Sequence, residues 1–201
     1  MPCKIYLSTA YLPPSEYFAK IRNATRLFIE AEENYHKQSY RNRCYILTAQ
    51  GPGRLTVPVY LGSFHKTPIR DIRIDYTKRW QQVHLGALSS AYNSSPFFLY
   101  YFKILERIIL KDHKFLLDLN MDLLTEILSM LKIDIMPVYT TEFLPANSVE
   151  TDFRYTIDPK KACDYKQREY FQVFNLLHGF VPRLSIVDLI FNMGPEAVNY
   201  L

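Results

Sequence analysis

Apolar residues come in short, dense runs through the first third of the chain and at helical spacing through its middle. The runs over 5–8 and 25–30 read as buried strands. Between them Pro13-Pro14-Ser15-Glu16 opens a helix, because proline suits a first turn whose N–H would be free anyway. Tyr17, Phe18 and Ile21 follow at helical spacing. Strand–helix–strand in this length is a unit of the parallel α/β kind. Residues 30–39 are polar and turn-like. Strands over 43–49 and 54–59 flank Gln50-Gly51-Pro52-Gly53, which predicts a hairpin closed by a loop longer than two residues. Pro58 puts the second strand at an edge or marks its end. Residues 62–67 read as a loop, and the alternation over 69–75 predicts a half-buried strand.

Beyond that point the pattern turns helical. Helices are expected over 78–90, 96–110 and 116–131. Phe97, Tyr100, Tyr101, Ile104, Leu105 and Ile108 form the apolar stripe of the second. A short strand over 133–138 comes next. Residues 140–161 are polar, carry Pro145 and Asp158-Pro159, and have no clear period, so they read as a long loop. A short helix over 169–177 precedes one over 184–192. The latter has Ser185 as its N-cap and Asp188 three residues on, an acidic variant of the capping box, and Gly194-Pro195 ends it. These elements predict a single α/β domain over residues 1–201. Its mixed sheet comes mainly from the N-terminal half and its helices mainly from the C-terminal half.

Composition narrows the function classes. Hydrophobic residues make up 48% of the 201, enough for a real core, so disorder is excluded. The net charge of +4 is scattered, with Lys78-Arg79 the densest basic run, which argues against a nucleic-acid binder. Cys3, Cys44 and Cys163 are odd in number and lack metal spacing, so they read as reduced thiols of a cytoplasmic protein. The N-terminus lacks the apolar stretch of a signal peptide, and no run approaches a membrane span.

Phosphate-loop, dinucleotide, nucleophile-elbow and zinc motifs are all absent. What remains is a set of single residues, each with two readings. Arg41 and Arg43 stand at strand spacing and suit a carboxylate or phosphate clamp. They equally suit a solvated edge paired to Glu30, Glu32 or Glu33. Those acids follow a strand, where open α/β sheets bind ligands, and can hold hydroxyls or Mg²⁺ or act as bases. A solvated turn is the alternative. Tyr11 sits at the first strand–helix junction, as a ligand-lining residue or an apolar anchor. His84 is a general base candidate or a helix-surface histidine.

Several features then recur in a familiar order. They are Tyr11-Leu-Pro with Tyr17-Phe18, Asn42-Arg43, Leu55-Thr-Val-Pro58, Trp80 with His84, and Tyr92 with Pro96-Phe-Phe. Tyr165 with Gln167 and the segment Leu184 to Gly194 complete the set. Together they resemble the WbqC-like protein family over nearly the whole chain. The compact ending is similar to the family's short form in Bacteroidetes-type bacteria. The chain differs in carrying Leu7-Ser8-Thr9 where the family usually has a Met-Gln-Pro-like opening, and Ala31-Glu32 where it has paired aspartates.

The resemblance implies a place in bacterial O-antigen or other surface-polysaccharide synthesis. It implies a sugar-linked substrate and no particular reaction, cofactor or metal. The expected crevice gathers His84 as base and Glu32 on hydroxyls or a metal. Arg43 holds the anionic part and Asn42 orients it. Tyr11, Tyr165, Gln167 and Asp188 complete the substrate contacts. A group-transfer enzyme acting on a sugar or nucleotide-sugar is the expected function. The alternative is a non-catalytic scaffold that binds a polysaccharide-pathway protein.

Overall fold

The computed structural model describes residues 3–60, 66–145 and 151–201. Most of the loop expected over 62–67, and part of that over 140–161, lies outside the described residues. β1 (Lys4–Ser8), α1 (Ser15–Ile21) and β2 (Arg26–Glu30) form the strand–helix–strand unit, and β3 (Arg43–Thr48) and β4 (Gly51–Thr56) the hairpin. Helices α2 (Trp80–Tyr92), α3 (Phe98–Leu110) and α4 (Leu116–Met130) follow. β5 (Pro137–Tyr139), α5 (Asn175–His178) and α6 (Ile186–Met193) close the order.

The fold is α/β, as expected, but the strands split into two sheets. β1, β2 and β5 form a parallel sheet in the order β1-β2-β5, and β3 and β4 pair antiparallel. Ile5, Leu7, Leu27 and Ile29 alternate onto the buried face. Tyr6 and Phe28, in register on the other face, stack with ring centroids 4.7 Å apart. One continuous apolar core joins this sheet to α1, α2, α4 and α6. No helix among the described residues is long and apolar enough to cross a membrane.

Five local expectations are corrected. The hairpin closes with two residues, because Thr48 pairs directly with Gly51. Gly51, the first residue of the return strand, has a positive φ of 101°, which other residues resist. Residues 69–75 are not a strand. Ile69–Asp71 is a 3₁₀ turn, and only single bridges follow, Val59 to Ile74 and Arg73 to Phe115. Ile69 and Ile72 are three apart, and that spacing puts both on one side of a 3₁₀ turn.

The expected helix over 169–177 shrinks to α5, because Tyr170 and Gln172 turn inward to bond Asp188. The strand expected over 133–138 begins only at Pro137, after Lys132 has turned the chain at a φ of 55°. The buried face of α3 is Phe98, Leu105 and Ile109, and Tyr100 faces outward. That helix is apolar on most sides, so periodicity alone allows several faces.

The cap of α6 is half as expected. The Val187 amide donates to Ser185 Oγ at 3.5 Å. Asp188 does not reach back, because the Ser185 amide already donates to the Tyr45 carbonyl at 2.7 Å. The carboxylate is therefore available to the core. Gly194 ends the helix at a φ of 55°, and a Cβ there would stand 2.5 Å from the Phe97 ring.

Candidate functional site

Two places in the fold concentrate polar side chains. The first is the crevice at the C-terminal ends of the parallel strands, where α/β proteins commonly bind ligands. Ser8 ends β1, Glu30 ends β2, and Thr140 follows β5. Thr140 Oγ1 donates to Glu30 Oε1 at 2.7 Å, and the Glu32 amide donates to the same oxygen at 2.9 Å. Arg154 Nη1 donates to Glu30 Oε2 at 2.5 Å, and its Nη2 to Asp152 at 2.7 Å. Beside them Arg41 forms a two-pronged pair with Glu33, at 2.7 and 2.5 Å, and donates to Ser8 Oγ at 2.7 Å.

Every charged group in this crevice thus has a partner from the chain itself. Glu30, Glu33, Arg41 and Arg154 are all at most 5% exposed. The enclosed space that remains, lined by Ser8, Tyr17, Tyr40, Arg41 and Arg154, is about 10 Å³.

The second place is a cleft of about 460 Å³ between β4 and the start of α2. Volumes of this order are typical of small-molecule sites. Leu55, Pro58, Trp80 and Val83 give it apolar walls, and Arg54, Lys78 and Arg79 a basic rim. Arg54 and Arg79 are exposed and form no ion pair among the described residues, while Lys78 feels the nearby Asp75 carboxylate. The N-cap of α2 is Arg79, whose side chain makes no capping bond. The free N–H groups of that first turn therefore add positive potential at the cleft.

His84 and Tyr11 meet at the cleft floor. Tyr11 Oη lies 2.8 Å from His84 Nδ1, and Trp80 packs edge-on to both rings. Burial pushes the His84 pKa down to about 4, opposed by a hydrogen bond with the Thr56 backbone. Burial also raises the Tyr11 phenol, with the Cys44 thiol adding to the effect. Both groups are neutral near pH 7. The Thr56 backbone bond takes an imidazole N–H, which leaves Nδ1 to accept from the Tyr11 phenol and puts the His84 proton on Nε2.

The structure brings only some of the expected site residues together. Tyr11 and His84 are in contact, as just described. Asn42 braces the hairpin, its Nδ2 donating to the Val57 carbonyl at 2.8 Å. Arg43 pairs across the hairpin with Thr56, a cleft-lining residue, and its buried Nε has no acceptor. Glu32 lies apart and pairs with Arg70 at 2.6 Å near the surface. Tyr165 donates to the Tyr200 carbonyl at 3.4 Å, and Gln167 Oε1 accepts from the Arg183 amide at 3.0 Å.

Asp188 belongs to a third cluster. It accepts from Tyr92 at 2.9 Å, Tyr170 at 2.8 Å and Gln172 at 3.2 Å. Desolvation raises its pKa to about 6 against the pull of those donors. The expected single crevice is therefore divided, because strand-end logic places Glu32 and Asp188 by sequence order, whereas their side chains follow the nearest buried donors or a surface cation. No group of three or more His, Cys, Asp or Glu that could hold a metal occurs among the described residues.

Sequence reasoning missed two features. Lys78-Arg79 is visible as a basic pair, but only the helix start at Trp80 and the return of Arg54 on β4 make it a rim. Arg154 lay in a segment read as loop and gave no signal, since Glu30, the strand-end acid it pairs with, is 124 positions away in sequence.

The profile of the WbqC-like protein family matches residues 9–163. The chain belongs to that family. It is also 31% identical over 218 aligned positions to the uncharacterized protein Rv1507c of Mycobacterium tuberculosis, covering 95% of this chain and 94% of that one. No solved structure matches the chain.

Proposed function

We propose that this WbqC-like protein binds a sugar-linked substrate by an anionic group, such as the diphosphate of a nucleotide-sugar, in the β4–α2 cleft and transfers a group on it. The observation that carries the reading is the pair Arg54 and Arg79, which face the cleft from β4 and from the start of α2 without a carboxylate partner among the described residues. Guanidinium groups match phosphate oxygens with paired donors, and a helix N-terminus strengthens the same preference. The apolar walls suit a sugar ring or a base. His84 stands at the floor, held neutral by burial, and acts as a base once Nδ1 is released from the Tyr11 hydroxyl.

Thermal shift and calorimetry with nucleoside-diphosphate sugars test binding, and release of free nucleotide tests turnover. Stabilisation of the wild type, lost in Arg54→Ala/Arg79→Ala, supports the site. No stabilisation by any nucleotide-sugar or by pyrophosphate would sink it.

One observation favours a second reading, a non-catalytic binding protein of the same pathway. The two titratable groups at the cleft floor are bonded to each other, so neither presents a free atom at Nδ1 or at the phenol hydrogen. Binding without turnover, unchanged in His84→Gln, would decide for this second reading.

A further inference from the structure

Residues 151–169 cross the molecule in irregular conformation, and Arg154 is their one fully buried residue. The Asp152 carboxylate that grips it goes in with it. Around these two, Phe153 and Ile157 pack partly buried against the core, and the other attachments are polar. The Tyr6 amide donates to the Thr151 carbonyl at 3.1 Å, the Phe153 amide donates to the Tyr6 carbonyl at 2.9 Å, and Ser8 Oγ donates to the Arg154 carbonyl at 2.7 Å. At the far end Arg183 holds the carbonyls of Lys161 and Asp158, near the surface. Segments with few buried apolar contacts open at a lower free energy than the core.

What this segment covers is the strand-end crevice. Arg154 Nη1 occupies the Glu30 oxygen that no other residue of the crevice engages. Arg154 also carries its own counterion, because Asp152 accepts from its Nε at 2.9 Å and its Nη2 at 2.7 Å. On withdrawal the guanidinium leaves as half of a pair. The Arg41–Glu33 pair, built on other elements, stays behind intact. The departing pair is charge-balanced, and the Glu30 carboxylate left behind keeps the Thr140 hydroxyl and the Glu32 amide as donors.

We propose that residues 151–161 are a strap, latched over the crevice by Arg154, that opens as a unit short of global unfolding and leaves the Glu30 carboxylate facing solvent. The strap is independent of the β4–α2 cleft and of the function proposed there.

Native-state hydrogen exchange tests it on the full chain. In the wild type, the amides of Tyr6 and Phe153 exchange together, about tenfold or more faster than those of Leu27 and Ile29 in the central strand β2. In Arg154→Ala/Glu30→Gln, which removes both charges at once, Tyr6 and Phe153 speed up by a further tenfold or so, while Leu27 and Ile29 keep their protection. If that variant fails to fold, Arg154→Lys, which keeps the charge but loses the fork, shows the same selective loss. Equal protection of Tyr6, Phe153 and the β2 amides in the wild type would overturn the strap. So would a variant that speeds all of them alike.

Discussion

The strand-end crevice and the β4–α2 cleft use the same kinds of side chain to opposite ends. In the crevice, Arg41 and Arg154 are buried and each is matched to a carboxylate of the chain, leaving about 10 Å³ of space. In the cleft, Arg54 and Arg79 are exposed and unmatched among the described residues, around about 460 Å³. Buried charges must be paired, so the crevice satisfies itself and contributes to the fold. Exposed charges are stable in water alone, so the cleft keeps its donors available. A fold-level rule points to the strand ends as the ligand site. Here the balance of charge points to the cleft.

The sharpest way to break the contrast is Arg154→Ala. It strands the buried Glu30 carboxylate and should cost about 3–5 kcal/mol in urea denaturation. Adding Glu30→Gln should recover a good part of that loss. A loss below about 1 kcal/mol, in the range of exposed pairs, would show the crevice pair to be no more than a surface contact.

The next effect is a pH dependence with two opposed arms. His84 has a folded pKa of about 4, below its usual 6.5, so its contribution is present above pH 6.5 and is lost as pH falls toward 4. Asp188 has a folded pKa of about 6, above the usual 3.8, so its contribution is present at low pH and is lost as pH rises from about 4 through 6. Melting temperature between pH 4 and 6.5 should therefore vary little in the wild type. In His84→Phe it should fall as pH rises, and in Asp188→Asn it should rise. Identical profiles in all three would refute both assignments.

In the cleft, Arg54→Ala and Arg79→Ala should each leave stability within about 0.5 kcal/mol. Each should weaken pyrophosphate or nucleotide-sugar binding by about tenfold, as calorimetry reads it. The smallest effect belongs to Glu32→Ala, which breaks an exposed pair with Arg70 and should cost about 0–1 kcal/mol. Retained turnover in that variant would remove Glu32 from the expected catalytic pair, and lost turnover with stability unchanged would restore it.

Much of this molecule follows from local pattern. The apolar runs of β1 and β2, the proline-led start of α1, the hairpin around Gly51 and the Ser185 cap are decided by contacts within a few residues, and sequence carries those directly. The ordered motifs also identify the family. The same local logic explains why Tyr11 and His84 stood out singly. What it lacks is the direction of each side chain and the partner it meets. The meeting of Tyr11 with His84 spans 73 positions, and that of Glu30 with Arg154 spans 124. Such pairs form because a buried donor or charge takes whichever partner the packed fold puts within reach. Sequence alone therefore determined most of the elements, their order and the family. Only the tertiary structure decided which arginines are consumed by the fold and which are left facing water.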